Sequence, residues 1–233
     1  METKATIAAI VPAAGVGSRM QHSVPKQYIS LSGKTILQHT LTKLAQLHEL
    51  VAIHVAVSVD DQYFADLPFI DKRIKRVDGG NERATSVLNG LLSLADNPPK
   101  WVLVHDAARP LVTIDDMNAL LSYCLTHGEG GILATQVKDT IKRGHTHSEQ
   151  TIPRDALWQA LTPQLFNYRE LLQSLQDALA ANAVITDEAS AMEWANKPVK
   201  LVAGRSDNIK ITTPEDLDLA EFLLQQQESE SNR

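Results

Sequence analysis

Short apolar segments alternate with longer amphipathic segments along most of this chain. Segments rich in β-branched residues predict strands at 7–11, 51–59, 74–77, 101–105, 131–137 and 199–203. The stretches between them have the apolar spacing of helices. Because strands that alternate with helices form mostly parallel sheets flanked by helices, the pattern predicts an α/β fold.

The starts of the predicted helices contain residues that favour helix N-termini. A Ser, Thr, Asn or Asp side chain there accepts a hydrogen bond from a backbone N–H group of the first turn. Caps of this kind are expected at Asn81, Thr113, Asn167 and Thr213. Right-handed crossovers would then place the loops after Val11, Val77 and His105 together at the carboxyl edge of the sheet, where open α/β folds bind ligands.

One stretch, 136–156, departs from this alternation. It contains two short β-like runs around a polar tip at 144–150, and this pattern predicts a long hairpin that projects from the domain as an arm. Such an arm buries little surface within its own subunit, so packing against a second copy of the chain would order it. We therefore expect a homodimer formed through the arm.

The rest of the chain shows no linker and no internal repeat, so a single domain over 1–233 is expected. The polar, low-complexity end at 226–233 predicts a frayed tail. The single cysteine, Cys124, lies in an apolar helical stretch and is expected to be a buried thiol without a disulfide.

Composition and charge narrow the possible partners. With 43% apolar and 21% charged residues, the chain has the composition of a globular protein, and no apolar run approaches the ~18 residues that span a bilayer. The apolar stretch near the N-terminus is too short for a secretory signal, so a cytoplasmic protein is expected. The chain contains 22 Lys and Arg residues and 28 Asp and Glu residues. The resulting net charge of -6 argues against general binding of nucleic acid or anionic membranes.

Small residues follow the first predicted strand, and two cations come shortly after them. Small side chains let backbone N–H groups approach a polyphosphate, and cations add charge at the same place. The small residues are Ala13, Ala14, Gly15 and Gly17, and the cations are Arg19 and Lys26. The loop predicts a cradle for a triphosphate, although a strand-to-helix turn with surface cations explains the loop alone almost as well.

Two familiar nucleotide-binding motifs fail in this region on spacing. A dinucleotide fingerprint needs Gly or Ala where this chain has Met20, and an acidic residue about 20 positions further on. The Gly33-Lys34-Thr35 segment resembles the end of a Walker A motif, but Tyr28 stands where its first glycine is required.

Three further segments contain residues suited to phosphate chemistry. Gly80 and Asn81 precede a predicted helix that contains Ser86, which could hydrogen-bond a base edge; alone, this is more often a tight turn. Asp106 follows a buried strand and suits Mg²⁺, which prefers one or two carboxylates plus phosphate oxygens, although a surface Asp–Arg pair with Arg109 is the simpler explanation of that segment. Lys210 precedes a capped helix, where a lysine is usually solvated.

Taken together, these segments resemble the 2-C-methyl-D-erythritol 4-phosphate cytidylyltransferases of the non-mevalonate isoprenoid pathway, a family of Rossmann-like nucleotidyltransferases. The resemblance covers nearly the whole chain, and its pieces are specific mainly through their order and spacing. The matching pieces are Pro12-Ala-Ala-Gly-Val-Gly-Ser-Arg19, Pro25-Lys-Gln-Tyr28, Gly79-Gly-Asn-Glu-Arg83 with Ser86-Val87, Val104-His-Asp-Ala-Ala-Arg-Pro110, Thr186-Asp-Glu-Ala-Ser190 and Asn208-Ile-Lys-Ile-Thr212.

The resemblance also implies roles for single residues. Arg19, Lys26 and Lys210 match the basic residues that hold the CTP phosphates and stabilise the transition state, and Asp106 matches the acid near Mg²⁺. The implied CTP-binding positions are Ala13, Ala14, Gly15, Gly17, Gly80, Asn81 and Ser86, although the family often has an acidic residue where this chain has Asn81. The implied substrate-binding positions are Arg109, Thr140, Arg154 and Thr162, with Thr140 and Arg154 acting in the partner subunit's site.

The activity implied by the resemblance is transfer of the cytidylyl group of CTP to 2-C-methyl-D-erythritol 4-phosphate. A cytidylyltransferase for another polyol phosphate, such as ribitol 5-phosphate, would share the CTP half of the site. A nucleotide-binding dimer without turnover would be expected to have lost Arg19, Lys26, Asp106 or Lys210, and all of these residues are present.

Overall fold

The structure is a computed structural model that describes residues 6–15, 20, 24–68 and 71–231. Its strands are β1 (Ile7–Pro12), β2 (Ser30–Leu31), β3 (Lys34–Thr35), β4 (Leu50–Val57), β5 (Ile74–Asp78), β6 (Trp101–Val104), β7 (Gly131–Gln136), β8 (Ile141–Arg143), β9 (Gln150–Ile152), β10 (Trp158–Asn167) and β11 (Lys200–Ala203). Its α-helices are α1 (Ile36–Ala45), α2 (Arg83–Leu92), α3 (Ile114–His127), α4 (Tyr168–Ala180), α5 (Glu188–Trp194) and α6 (Pro214–Ser231).

Within these described ranges, seven strands form one mixed sheet in the order β11-β7-β10-β6-β1-β4-β5. The pairs β1–β4, β1–β6, β4–β5 and β7–β11 are parallel, and β10 runs antiparallel to both of its neighbours. Each predicted strand is present with ends that differ by at most two residues, so the predicted α/β fold with a mostly parallel sheet is confirmed.

The sequence prediction missed β10, which is the antiparallel strand between β6 and β7. Pro163 and Gln164 interrupt its apolar pattern, and a proline argues against a central strand because it cannot donate to the ladder. The register with β7 shifts between Ala160 and Gln164, so the strand accommodates Pro163 at an irregularity.

Helices cover both faces of the sheet because successive strand residues point to opposite sides. Ala9 and Val11 of β1 belong to the cluster that α1 and α3 cover, and Ile10 belongs to the cluster that α2, α4 and α5 cover. Cys124 is buried in the first cluster, as predicted. The packing of both faces leaves the ends of the parallel strands as the place for a ligand site.

Three of the four predicted caps are present. Thr113 accepts from the N–H of Asp116 at 3.2 Å, Asn167 accepts from two N–H groups of α4, and Thr213 accepts from the N–H of Asp216 at 3.4 Å. The cap predicted at Asn81 is wrong: Glu82 occupies the N-cap position of α2, and its side chain makes no capping hydrogen bond. The N–H of Ser86 donates to the carbonyl of Glu82 at 3.0 Å, which makes Glu82 the N-cap, so the helix begins one residue later than predicted.

The predicted hairpin is present, with β8 and β9 paired antiparallel around an exposed tip at 144–150. The predicted frayed tail is wrong as far as Ser231, because α6 extends to that residue. Gln227 is buried and donates to the carbonyl of Leu111 at 2.9 Å, which anchors the last turns of α6. No helix in the described part of the chain is long and apolar enough to cross a membrane.

Candidate active site

A pocket lies at the carboxyl ends of β1, β5 and β6, where the sequence predicted that three loops would meet. It is lined by residues 12–15, 26–27, 80–83, 86, 106–108 and 210. The parallel pairing of β1 with β4 and β6, and of β4 with β5, brings these loops to the same edge. The predicted clustering of the three loops is therefore confirmed.

The loop after β1 presents Ala13, Ala14 and Gly15 to the pocket. The N–H of Ala13 donates to the carbonyl of Ala56 at 2.7 Å, and its carbonyl accepts from the side chain of Gln27 at 2.6 Å. A Cβ at Gly15 would meet no atom of the described residues within 4 Å, whereas the glycines of the next loop are closely packed. Gly17 and Arg19, both predicted to hold phosphate, lie outside the described residues.

The loop after β5 packs tightly against the first loop. A Cβ at Gly79 would lie 2.6 Å from the Cβ of Ala14, and a Cβ at Gly80 would lie 2.4 Å from the Cγ2 of Thr85, so neither glycine can be replaced without a shift. Ser86 lines the pocket, but its hydroxyl accepts from the N–H of Gly80 at 3.0 Å and donates to the carbonyl of Glu82 at 3.0 Å. In this structure Ser86 holds the loop in shape, and the exposed Asn81 also lines the pocket.

Lys26 reaches the pocket wall from a short 3₁₀ helix whose other residues are buried. Gln27 is fixed to the β1 loop by its hydrogen bond with Ala13, and the hydroxyl of Tyr28 donates to Asp61 at 2.7 Å. These two anchors, on the residues that follow Lys26, fix the backbone that places Lys26 in the pocket lining beside the β1 loop.

Asp106 lies at the centre of an ion cluster on the pocket wall. One carboxylate oxygen is 2.9 Å from the Nε of Arg83, and the other is 2.7 Å from the Nζ of Lys210 and 3.9 Å from the Nε of Arg109. Burial alone would raise the pKa of Asp106, but these cations outweigh burial and hold the pKa well below its usual range. Asp106 is therefore an ionised acceptor at neutral pH.

Arg83 and Glu188 extend this cluster into the core, and the sequence analysis assigned a role to neither. Arg83 donates from both terminal nitrogens to the two oxygens of Glu188, at 2.7 and 3.0 Å. Glu188 is 2% exposed; its burial raises its pKa, and Arg83 opposes that rise. The sequence signal for this pair was weak, because 105 positions separate its members and each charge alone is typical of a surface.

Thr162 and His105 fix the backbone of Asp106 from behind. The hydroxyl of Thr162 accepts from the N–H of Asp106 at 3.0 Å and lies 3.0 Å from the Nδ1 of His105. Burial lowers the pKa of His105 to about 4, so its ring is neutral at pH 7. The Nε2 faces the carbonyl of Arg109 at 3.0 Å and must carry the ring proton, because a carbonyl only accepts; Thr162 then donates to Nδ1.

Arg109 and Asn208 tie the Lys210 loop to the same wall. The guanidinium of Arg109 donates to the carbonyl of Asn208 at 2.6 Å, and the amide of Asn208 donates to the carbonyl of Thr162 at 2.9 Å. The N–H of Ile211 donates to the carbonyl of Ala108 at 2.9 Å. Lys210 is thereby held between fixed neighbours, and its side chain remains 38% exposed toward the pocket.

The contacts of the four residues predicted to bind the acceptor substrate divide them into two pairs. Arg109 and Thr162 are close to Asp106, and the hydroxyl of Thr162 is already used in internal hydrogen bonds. Thr140 and Arg154 are exposed residues of the arm, and Arg154 donates to the carbonyl of Lys138 there. That Thr140 and Arg154 act in a partner's pocket stays a prediction.

The sheet and the pocket define the class of the protein. A Rossmann-like sheet with small-residue loops and the cations Lys26, Arg83 and Lys210 at its carboxyl edge is the arrangement of a nucleotidyltransferase. The sequence profile of the 2-C-methyl-D-erythritol 4-phosphate cytidylyltransferase family matches residues 7–226. The chain belongs to this family.

Individual relatives agree with this assignment. The chain is 71% identical over 231 residues to the 2-C-methyl-D-erythritol 4-phosphate cytidylyltransferase of Pseudoalteromonas translucida (strain TAC 125), covering 99% of this chain and 96% of the relative. It is 52% identical over 224 residues to the enzyme of the same name from Vibrio vulnificus (strain YJ016), covering 94% of both. The crystal structure of the Francisella tularensis enzyme of that name superimposes with a TM-score of 0.82 at 36% identity, covering 94% of this chain and 99% of that one.

The ionised carboxylate of Asp106 fits a divalent cation whose other ligands would be phosphate oxygens. Among the residues that the structure describes, no group of three His, Cys, Asp or Glu side chains could hold a metal by itself. Asp106 is ionised, and each carboxylate oxygen has two lone pairs, so it keeps acceptor capacity beside Arg83 and Lys210. A single carboxylate with phosphate oxygens is the ligand set that Mg²⁺ commonly takes.

Proposed function

We propose that this protein transfers the cytidylyl group of CTP to 2-C-methyl-D-erythritol 4-phosphate, which yields 4-diphosphocytidyl-2-C-methyl-D-erythritol and pyrophosphate. The observation that carries the proposal is the ion cluster on the pocket wall, in which the Nζ of Lys210 lies 2.7 Å from a carboxylate oxygen of Asp106, in a chain that belongs to this family. A cytidylyltransferase for ribitol 5-phosphate would need the same CTP half, but the family match does not favour it.

The proposed reaction needs charge neutralisation more than it needs a base. A phosphate monoester loses its second proton near pH ~6, so the acceptor is already a dianionic nucleophile at neutral pH. Its oxygen attacks the α-phosphorus of CTP in line, a P–O bond forms, and the bond to pyrophosphate breaks. Because two anions approach each other and negative charge grows on the departing pyrophosphate, preorganised cations lower the barrier.

The cations of the site have distinct proposed roles. Lys26 and Lys210, with Arg19, hold the triphosphate and stabilise the charge that develops at the α-phosphorus. Asp106 fixes Lys210 and would hold Mg²⁺ together with phosphate oxygens, and the bound ion would neutralise phosphate charge. The loops after β1 and β5 and the first turn of α2 surround the phosphates and cytidine, with contacts proposed at Ala13, Ala14, Gly15, Gly17, Gly80, Asn81 and Ser86.

The acceptor side of the site is proposed to form in a homodimer. Arg109 and Thr162 belong to one subunit, and Thr140 and Arg154 reach in from the arm of the partner. The exposure of the arm in the single chain supports this arrangement, since β8 and β9 bury little surface by themselves. A cytoplasmic location is proposed because the N-terminal apolar stretch forms the buried central strand β1.

Pyrophosphate release from the purified protein with Mg²⁺ tests the proposed function. We expect release with CTP and 2-C-methyl-D-erythritol 4-phosphate, and at most trace release when UTP or ribitol 5-phosphate replaces its counterpart. Release only with ribitol 5-phosphate would change the acceptor. If folded protein that still binds CTP releases no pyrophosphate with any nucleotide and acceptor pair, the proposal is overturned in favour of a binding protein without turnover.

The arm is tested separately, by deleting its tip at 144–150 and, in a second variant, by Arg154→Ala. Light scattering gives the mass and the same assay gives the activity. We expect loss of the dimer with loss of activity in the deletion, and a raised KM for the acceptor in a dimeric Arg154→Ala protein. A fully active monomer would contradict action in the partner's site.

A further inference from the structure

The buried carboxylate of Glu188 has no role in the reaction as described so far, although Arg83 links it to Asp106 on the pocket wall. Glu188 is the first residue of α5, and its two oxygens are taken up by Arg83 in a bidentate pair at 2.7 and 3.0 Å. The Nε of the same guanidinium donates to Asp106 at 2.9 Å. One rigid, planar group therefore joins Glu188 to the carboxylate that holds Lys210.

The position of Glu188 is itself fixed on both sides. The side-chain oxygen of Gln164 accepts from the N–H of Ala189 at 2.9 Å, and its side-chain nitrogen donates to Asp187 at 2.9 Å. Asp187 and Ser190 cap α5 reciprocally, with the N–H of Ser190 donating to Asp187 at 2.9 Å. The start of α5 is thereby clamped to β10, which fixes the backbone that carries Glu188.

The charges of the cluster suggest what this arrangement achieves. The single carboxylate of Asp106 contacts three cations, which are Arg83, Lys210 and Arg109. Glu188 neutralises Arg83 and occupies its terminal nitrogens, so Asp106 remains the counterion of Lys210. Without that carboxylate, the terminal nitrogens of Arg83, which lines the pocket, could turn toward an anionic phosphate and draw Asp106 out of line with Lys210.

We propose that Glu188 is a positioning residue for cytidylyl transfer: through Arg83 it orients Asp106, and through Asp106 it aligns Lys210 with the reacting phosphate. The proposal rests on the function proposed above. It requires the loss of Glu188 to affect the chemical step more than nucleotide binding, because Lys210 would be misaligned while the total positive charge in the pocket would not fall.

Glu188→Gln is the test variant, because glutamine keeps the shape and removes the charge. Glu193→Gln is its control: Glu193 lies on the same helix and is exposed. We expect Glu188→Gln to lower kcat about tenfold or more, with an unchanged or lower Kd for CTP by calorimetry, and Glu193→Gln to match the unchanged chain. A purely structural ion pair would lower the melting temperature and leave the kcat of the folded protein within about twofold, which would overturn the proposal.

A double-variant cycle with Lys210→Ala adds a readout that a structural role would not move. If Glu188 acts through Lys210, Glu188→Gln should cost much less kcat in the Lys210→Ala background than in the unchanged chain. Equal factors in both backgrounds would overturn the proposal.

Should Glu188→Gln not fold, Arg83→Lys is the second variant, because it keeps the positive charge and breaks the bidentate fork. The same loss of kcat with retained CTP binding supports the proposal, and unchanged kcat contradicts it. The unchanged chain is assayed alongside: if it is active and the variants match it, only the positioning role fails, whereas an inactive unchanged chain overturns the proposed function as well.

Discussion

The phenol of Tyr28 donates a 2.7 Å hydrogen bond to the carboxylate of Asp61, and this contact holds the segment that presents Lys26 to the pocket. Asp61 also accepts from the N–H groups of Tyr63 and Phe64, so it ties the 3₁₀ helix of Lys26 to the loop after β4. The placement of a cation in the pocket thus depends on a contact outside it.

Tyr28→Phe should lower the free energy of unfolding by about 1–2 kcal/mol, because it removes a hydrogen bond to a charged acceptor and keeps the ring. Urea unfolding measures this loss. Tyr63→Phe is the control, since it alters a hydroxyl on the neighbouring, more exposed ring. Equal stabilities of Tyr28→Phe and the unchanged chain would show that the Asp61 contact contributes nothing net.

Lys26→Ala and Lys210→Ala should each lower kcat on the order of 100-fold while CTP binding weakens far less, because the proposed work of these cations is in the transition state. Steady-state kinetics with a separate CTP titration separates the two quantities. The control is Lys197→Ala, which removes an exposed lysine paired with Glu170. Weaker CTP binding with unchanged kcat would assign these lysines to the ground state alone.

Gly15→Ala and Gly79→Ala form a matched pair with different expected outcomes. A methyl group at Gly15 meets no atom of the part of the chain that the structure describes within 4 Å, so the melting temperature should hold while the Kd for CTP rises, if the nucleotide occupies that space. A methyl group at Gly79 would lie 2.6 Å from the Cβ of Ala14, so this variant should lose both stability and CTP binding. Undiminished CTP binding by Gly15→Ala would place the triphosphate elsewhere.

The buried His105 should make the protein less stable as the pH falls below neutrality. Its folded-state pKa of about 4 lies below the ordinary value of 6.5, so its contribution is complete above pH 6.5 and is lost as the pH falls toward 4. At about 1.36 kcal/mol per pKa unit, the loss from this group is about 3 kcal/mol.

His105→Gln tests this dependence, because glutamine does not take up a proton. Urea unfolding at several pH values between 7 and 4 should show a smaller loss of stability in the variant than in the unchanged chain. The comparison isolates His105, since burial also lowers the pKa of His39 and His54 in both proteins. Parallel stability curves would contradict the assignment of the loss to His105.

Local patterns predicted most of the fold, because strand and helix periodicities and caps such as Thr113 and Asn167 are written in neighbouring residues. They did not predict β10, since Pro163 masks its pattern and only pairing with β6 and β7 makes it a strand. The local patterns also predicted a frayed tail, because the hydrogen bond between Gln227 and Leu111 that holds this end of the chain spans 116 positions.

The same limit applies to the site. The spacing of the loops and the α/β alternation predicted that Lys26, Asp106 and the glycine loops would meet at one edge, because parallel strands bring their carboxyl ends together. The contacts behind that surface were not predicted. The contact of Glu188 with Arg83 and that of the Thr162 hydroxyl with His105 depend on the register of β10 and the placement of α5.

The antiparallel strand β10 also determines where the chain can accept insertions and deletions. The strand pairs with β7 from Trp158 to Ala160, passes Thr162 behind Asp106, and pairs with both β6 and β7 from Gln164. An added or deleted residue between Trp158 and Gln164 would shift Thr162 and turn neighbouring side chains to the opposite face. The exposed tip at 144–150 carries no such constraint within the single chain. Insertions and deletions among related chains are therefore expected at this tip and should be rare between Trp158 and Gln164.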